Sequence, residues 1–339
     1  MRAEYSMRDA ISDFCVKLGS DSLLVQGAGG NVSWKDDDTL WMKASGVWLA
    51  DAKDKDIFVP VDLCALRRSI KARIFSVTPN LNEESSLRPS IETMLHALMP
   101  QTVVVHLHAI DILAYLVRDN PAVILEEMLG KSDKWCLLNY YKPGAQLAEA
   151  ICDKLIHYPN VNIVFLQNHG VVIGGSCVSD VNDCLQNLLT ILAQSVNSDI
   201  PNGDEHNKKL LLHLDGYHLC TDPFLNRIAT NKFLSSRLYE EWVLYPDHAV
   251  FLGAKPAILG KTITLDDIDC DEKPAFIFDF GGGVYESNFA TTAHKAQLRC
   301  YYDVLVRQSP YEKLVALSDA AVHDLLVWDA EKYRKSNAK

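Results

Sequence analysis

Thr102-Val103-Val104-Val105-His106-Leu107-His108 is a β-branched run that predicts a short strand over 102–106, ending in a histidine pair. A pleated strand sends alternate side chains to one face, so His106 and His108 project to the same side. Before this run, Ile91, Met94, Leu95 and Leu98 recur at helical spacing and Pro100 closes the segment; a further helix is expected around 109–117. Downstream, a helix over Ala145–His157 leads to a strand over Asn162–Leu166 that ends in Gln167-Asn168-His169-Gly170. A second strand, Val171–Gly174, precedes a long helix from Val178 to Ser195. Upstream, the spacing of Ile11, Phe14, Cys15 and Leu18 predicts a helix within 4–20 that stops at Gly19. A Gly-rich turn at 27–30 follows, then a hairpin of Asn31–Lys35 and Thr39–Ala44 tipped by Asp36-Asp37-Asp38. Ile57–Leu66 starts as a strand and runs into the basic stretch Arg67–Arg73; 77–88 and Tyr140–Gly144 read as loops. Helices and strands that alternate in this way make the class α/β.

The chain has 339 residues, enough for one large domain or two modest ones. Apolar periodicity is lost over Ser198–Lys209, which reads as a linker, so the expected units are 1–200 and 201–339. The second is expected to be a smaller α/β extension. It has strands near 247–252 and 274–279, a turn at Gly281-Gly282-Gly283, and helices near 289–307 and 310–334. Asp279-Phe280-Gly281 imitates a kinase signature, but no kinase catalytic loop or ATP loop precedes it, so it reads as a strand and turn.

Hydrophobic residues at 48% and charged residues at 23% place the chain among globular proteins and away from disordered ones. A formal charge of −11 supplies no basic field for a phosphate backbone, which argues against nucleic-acid binding and for small-molecule partners. The nine cysteines are odd in number, dispersed and free of CxxC pairs, as expected of buried free thiols. The most apolar window, Thr102–Val117, is interrupted by His106, His108 and Asp111, so no membrane span is expected. The N-terminal run shows no secretory pattern, and a cytoplasmic location is expected.

Two imidazoles on one face are able to reach one ion, and a catalytic metal site usually takes three protein ligands. His169, at the end of another strand, is the candidate third. Each histidine taken alone also reads as an ordinary hydrogen-bonded or surface residue. Glu92, in the expected first turn after Pro89, is the candidate proton-transfer group, although a carboxylate there also suits the helix dipole. Gln26-Gly27-Ala28-Gly29-Gly30-Asn31-Val32-Ser33 offers open backbone amides to an anion, but fits neither a P-loop nor GxGxxG.

Taken in order, Gly27–Ser33, Met42-Lys43-Ala44-Ser45-Gly46, Arg88-Pro89-Ser90-Ile91-Glu92, His106-Leu107-His108 and Asn168-His169-Gly170 resemble the class II aldolase and adducin family over roughly residues 5–197. Within it the chain is most similar to the aldolase module of bifunctional rhamnulose-phosphate aldolase/dehydrogenases, and Gly283–Asp329 also resembles the segment that follows that module. Those proteins continue into a Rossmann dehydrogenase, which this chain does not reach, so hydride transfer is not expected. The resemblance implies a three-layer α/β/α domain around a mainly antiparallel sheet. It implies a divalent metal, zinc by preference or else manganese or cobalt, on His106, His108 and His169. It assigns Glu92 as acid/base, a role that burial would favour if it raised the pKa toward neutrality. Gly30, Asn31, Ser45, Gly46 and Ser90 would bind substrate or its phosphate. Ser90 is followed by Ile91 where many sugar-phosphate aldolases carry a second hydroxyl; Lys35, Lys43 and Arg88 are candidates to compensate. Tyr140 and Tyr141 are the candidates for the tyrosines that such aldolases borrow from a neighbouring subunit.

The implied activity is a lyase acting on a small ketose, sugar acid or its phosphate, by retro-aldol cleavage through a metal-stabilised enediolate. The alternatives are a decarboxylase, dehydratase or epimerase on a sugar-acid phosphate at the same metal, or a non-catalytic adducin-like module. A homo-oligomer, tetrameric by resemblance, is expected.

Overall fold

The histidine pair closes the central strand of a seven-stranded sheet in this computed structural model, which describes residues 6–197, 212–264 and 273–338. The elements of the first stretch are α1 (Met7–Gly19), β1 (Asn31–Asp36), β2 (Thr39–Lys43), β3 (Phe58–Asp62), α2 (Leu63–Lys71), α3 (Thr93–Leu98), β4 (Val103–Leu107), α4 (Ile110–Leu116), α5 (Pro121–Leu129), β5 (Trp135–Leu138), α6 (Ala145–His157), β6 (Ile163–Leu166), β7 (Gly170–Gly175) and α7 (Val178–Ile191). The strand order is β3-β2-β1-β4-β7-β6-β5. Every neighbouring pair is antiparallel except β5 and β6, which are parallel.

Both faces of the sheet are covered, and the period-two pattern of β4 decides what covers each. Val103, Val105 and Leu107 join a core with Ile11, Phe14 and Leu18 of α1, Ile112 and Leu116 of α4, and Leu185 and Leu188 of α7. Val104 faces the other way, onto Leu95 of α3 and Leu147 and Ile151 of α6. His106 shares the Val104 face, so the strand is held by apolar contacts on one side and presents an imidazole on the other. Burying a Val or Leu side chain contributes roughly 1.5–3 kcal/mol. Val103, Val105 and Leu107 therefore anchor the strand that carries the histidines. The result is a three-layer α/β/α unit around a mainly antiparallel sheet.

The remainder holds β8 (Tyr217–Leu219), α8 (Pro223–Thr230), α9 (Lys232–Arg237), α10 (Pro246–Leu252), β9 (Phe276–Asp279), β10 (Gly283–Ser287), α11 (Thr292–Leu305), α12 (Asp319–Leu326) and α13 (Asp329–Asn337). A three-stranded antiparallel sheet runs β8-β10-β9. Its helices share a hydrophobic cluster with Ile110, Leu113 and Ala114 of α4, so the extension packs directly on the helix that follows the histidine pair. Polar ties reinforce this contact: Arg307 pairs with Asp111 at 2.6 Å and Arg118 with Glu312 at 2.6 Å.

Several expected elements differ. The strand expected at 247–252 is helix α10, because Pro246 at its first turn presets helical φ, and a short apolar run buried on all sides does not distinguish helix from strand. The helix expected over 310–334 is two helices, α12 capped by Ser318 and α13 starting after Trp328. α5 and β5 lie in a region the sequence reading left unassigned, and α7 ends at Ile191 rather than Ser195. Most of the expected linker at 198–209 lies outside the described residues, as does Cys270; the other cysteines are free thiols. Among the described residues, no helix is long and apolar enough to cross a membrane.

Candidate metal centre

Sheet register brings the parts of the site together. Asn31 at the start of β1 pairs across from His106 at the end of β4, and β7 flanks His106 on the other side. The turn between β6 and β7 delivers His169. Asn168 adopts φ of 55°, a left-handed conformation that Asn tolerates, and its side chain donates to the Leu244 and Val315 carbonyls at 2.9 and 2.6 Å. Gly170 follows because a Cβ there would collide with the Leu107 carbonyl. Asn168-His169-Gly170 is thus a turn in which each residue type has a geometric reason.

The three imidazoles converge and are buried, with one ligand atom from each within 4.8 Å of the others. The Nε2 atoms of His106 and His108 lie 3.1 Å apart. Glu92 faces the same point, with Oε2 3.5 Å from His106 Nε2 and Oε1 3.6 Å from His169 Nε2. Proton placement tests whether a cation belongs here. His106 Nδ1 is 3.2 Å from the Val171 carbonyl, which only accepts, so Nδ1 carries the proton. Burial lowers the pKa of His106 and takes that of His169 down to about 3, so both rings are neutral. His106 Nε2 is then a lone pair. On its far side His108 turns Nδ1 toward the Asp247 carboxylate at 3.4 Å and presents Nε2 to the same point as His106 Nε2. Ring nitrogens from three histidines and a carboxylate that face one buried point form a donor set for a cation. Zinc–nitrogen bonds of about 2.0–2.1 Å at a tetrahedral angle separate two ligands by roughly 3.3 Å, close to what is found. The residues fit a divalent metal.

Glu92 is the N-cap of α3, one residue before the helix, rather than in its first turn. Its amide donates to Ser90 Oγ at 3.3 Å, and Asn31 Nδ2 donates to its Oε2 at 2.8 Å. Asn31 is itself oriented: its Oδ1 meets His96 Nε2, while His96 Nδ1 lies 2.7 Å from Ser33 Oγ. Burial takes His96 down to about 3, so this ring is neutral as well. These surroundings do not raise the Glu92 pKa toward neutrality. Burial alone would raise it, whereas the Asn31 amide that donates to Oε2 favours the ionised form, and the balance lies below the ordinary carboxylate value. Glu92 is a carboxylate, suited to accepting a proton.

The cavity beside these groups is small, about 20 Å³, and is lined by Gly30, Asn31, Ser45, Gly46, Ser90 and Glu92 together with His108 and His169. Every residue expected to hold substrate is therefore at the cavity wall. Ser45 Oγ is buried without a hydrogen-bond partner, an unsatisfied group aimed at the space beside it. Lys43 also lines the cavity, donating to the Ala28 carbonyl at 3.1 Å, and burial brings its pKa down to about 7. Lys35 and Arg88 do not line it: Lys35 donates to the Gln101 carbonyl at 2.6 Å and Arg88 stacks 4.3 Å over Tyr333. Tyr140 is partly buried with an unpartnered hydroxyl, and Tyr141 is exposed; neither lines the cavity.

The sequence reading missed a fourth wall. Asp247 of α10 and Glu331 and Arg334 of α13 line the same cavity. Arg334 pairs with Asp247 and, through Nε, with Glu331 at 2.9 Å. Burial raises the Glu331 carboxyl to about 7, whereas at Asp247 the Arg334 charge outweighs burial and keeps the carboxyl well below the usual range. Nothing in local spacing marks these residues, since 247–252 reads as a strand and 331 and 334 fall at the end of the one helix expected over 310–334.

Comparison with known proteins bears on the first region of the chain. The sequence profile described as "Class II Aldolase and Adducin N-terminal domain" matches residues 10–194. A curated relative, the "Uncharacterized oxidoreductase YuxG" of Bacillus subtilis (strain 168), is 28% identical over 194 residues, 52% of this chain and 27% of the relative. The chain thus spans about a quarter of that relative's length. Among solved structures, the N-terminal class II aldolase domain of a conserved protein from Thermoplasma acidophilum is 25% identical with a TM-score of 0.48, covering 57% of this chain and 94% of that one. The l-fuculose-1-phosphate aldolase from Thermus thermophilus is 17% identical with a TM-score of 0.37, over 55% and 88% of the two chains. The chain belongs to the class II aldolase and adducin N-terminal domain family.

Proposed function

We propose that the protein is a metal-dependent lyase that cleaves a carbon–carbon bond in a small ketose, sugar acid or its phosphate. The observation that carries the reading is the convergence of buried ring nitrogens from His106, His108 and His169 with the Glu92 carboxylate. When bound by these three imidazoles, a divalent ion, zinc by preference or manganese or cobalt, supplies a positive charge that stabilises the enediolate oxygens left when the bond breaks. Glu92, ionised, accepts the proton of the substrate hydroxyl or of the adjacent carbon. Asn31 holds Oε2, while Oε1 has no hydrogen-bond partner and is free to accept. Gly30, Asn31, Ser45, Gly46 and Ser90 hold the far, anionic end of the substrate. A cavity of about 20 Å³ has room for roughly one water, so substrate enters only when a wall moves. A homo-oligomer and a small-molecule partner, with neither nucleic acid nor membrane, belong to the same proposal.

Elemental analysis after chelator-free purification tests the metal: about one divalent ion per chain is expected. A screen of sugar-phosphate and sugar-acid substrates then tests the reaction. Aldehyde release supports the lyase; carbon dioxide release, water loss or epimerisation without cleavage replaces it with another reaction at the same site. A chain that takes up no metal after repletion refutes the reading and favours a non-catalytic role.

A further inference from the structure

A metal-binding imidazole needs its second nitrogen held, because that bond fixes the tautomer and the ring angle. The two histidines of β4 meet this need differently. His106 Nδ1 donates to the Val171 carbonyl of the adjacent strand, a partner supplied by the sheet itself. His108 lies beyond the end of β4, and its Nδ1 faces Asp247 Oδ2 at 3.4 Å. Asp247 is 2% exposed and sits in the first turn of α10, in the C-terminal extension. It is tied down from two further directions: Oδ1 to Arg334 of α13, and Oδ2 as acceptor of Gln297 Nε2 at 3.3 Å from α11. The approach of Asp247 to His108 also depends on the Gly-rich turn. A Cβ at Gly29 would lie 3.0 Å from Asp247 Oδ2 and 3.1 Å from His108 Nδ1, tighter than ordinary contact, so a side chain there would press Asp247 and His108 out of their present positions by a few tenths of an ångström. The turn that reads as an anion cradle therefore has a second task at Gly29.

We propose that Asp247 is the positioning residue of His108, holding its Nε2 toward the shared ligand point, and that Arg334 keeps Asp247 in place, so that the extension is part of the metal centre. The inference rests on the metal reading above. A carboxylate behind an imidazole also raises its donor strength, and loss of such a partner typically weakens metal binding about 10–100-fold.

The test is zinc affinity of the full chain, by competition with a chromophoric chelator, together with the visible absorption spectrum of the cobalt-substituted protein. Asp247→Asn is expected to bind zinc about tenfold more weakly, and Gly29→Ala, which leaves every charge in place, is expected to weaken it as well. Both should shift the cobalt bands, which a merely structural role would not move. Melting curves of the metal-free proteins verify that the variants fold, and Gly29→Ala keeps the test open if Asp247→Asn does not. Wild-type affinity and an unchanged cobalt spectrum in a folded variant overturn the inference and leave the metal reading standing. A wild-type chain that binds neither zinc nor cobalt overturns both.

Discussion

Residues 6–197 and 212–338 build one cavity by different means. The first region delivers its groups through sheet register. His106, His108, Asn31 and His169 stand at strand ends, where pairing across β1, β4 and β7 sets their spacing; His106 and Asn31 find partners within the same region, the Val171 carbonyl and Glu92, while His108 reaches Asp247. The second delivers charge on helices. Asp247, Glu331 and Arg334 come from α10 and α13 and hold one another by ion pairs in a buried setting. A register is specified by a hydrophobic pattern, because a slip of one residue would turn every apolar side chain outward. A buried ion pair has no such pattern behind it and exists only when both helices are docked. The first region thus brings the imidazoles and Glu92 to the cavity, and the extension brings the charged groups Asp247, Glu331 and Arg334.

That contrast is open to attack at points of decreasing expected effect. His106→Ala with His108→Ala should abolish metal binding, from about one ion per chain to none by elemental analysis; retention would move the metal elsewhere. Glu92→Gln should bind metal but lose about 10²–10⁴-fold in turnover once a substrate is found. Near-normal turnover would transfer the proton step to the extension, where Glu331 is the next carboxyl. Asp247→Asn should weaken zinc about tenfold, which sharpens the comparison by measuring how far the second region reaches into the first.

The smallest effect is on pH-dependent stability, and it has opposite signs in the two regions. His96 is held neutral down to about 3, below its unfolded value near 6.5, so the unfolded chain binds more protons in that window and His96 adds stability as pH rises through it. Glu331 is raised to about 7, above its unfolded value near 4.5, so the folded chain binds more protons there and Glu331 removes stability as pH rises from about 4.5 to 7. Urea titrations of wild type and Glu331→Gln should therefore show the variant gaining on wild type across pH 4.5–7. A constant difference would mean that Glu331 keeps an ordinary pKa and that α13 is more hydrated than its burial indicates.

Where the reading from sequence succeeded, a local physical rule was strong enough. The Asp36-Asp37-Asp38 tip, the strand into His106 and the helix Ala145–His157 follow from alternation, helical spacing and turn chemistry, and the structure has them within a residue. Glu92 was found, but the groups that set its charge, the Asn31 amide and the imidazoles from β4 and the β6–β7 turn, are brought beside it only by the fold. α10 was misread because burial on all sides erases periodicity. The long C-terminal helix was misread because the backbone before 319 bonds to other parts of the chain, Val315 to the Val117 carbonyl and Leu317 to the Val243 carbonyl, and because α12 and α13 part at 327–328, which spacing does not carry.

The sequence by itself marked the α/β class and the candidate histidines and Glu92 through strand period and turn chemistry, and its ordered motifs from Gly27 to Gly170 carried the resemblance that implied the layered unit and the family. Only the tertiary structure decided that Asp247, Glu331 and Arg334 enter the same cavity and that Gly29 leaves room for Asp247 to reach His108. Asp247 and Arg334 are separated by 87 positions and Asp247 and His108 by more than a hundred, so no local pattern encodes the Coulomb interactions and burial that join them.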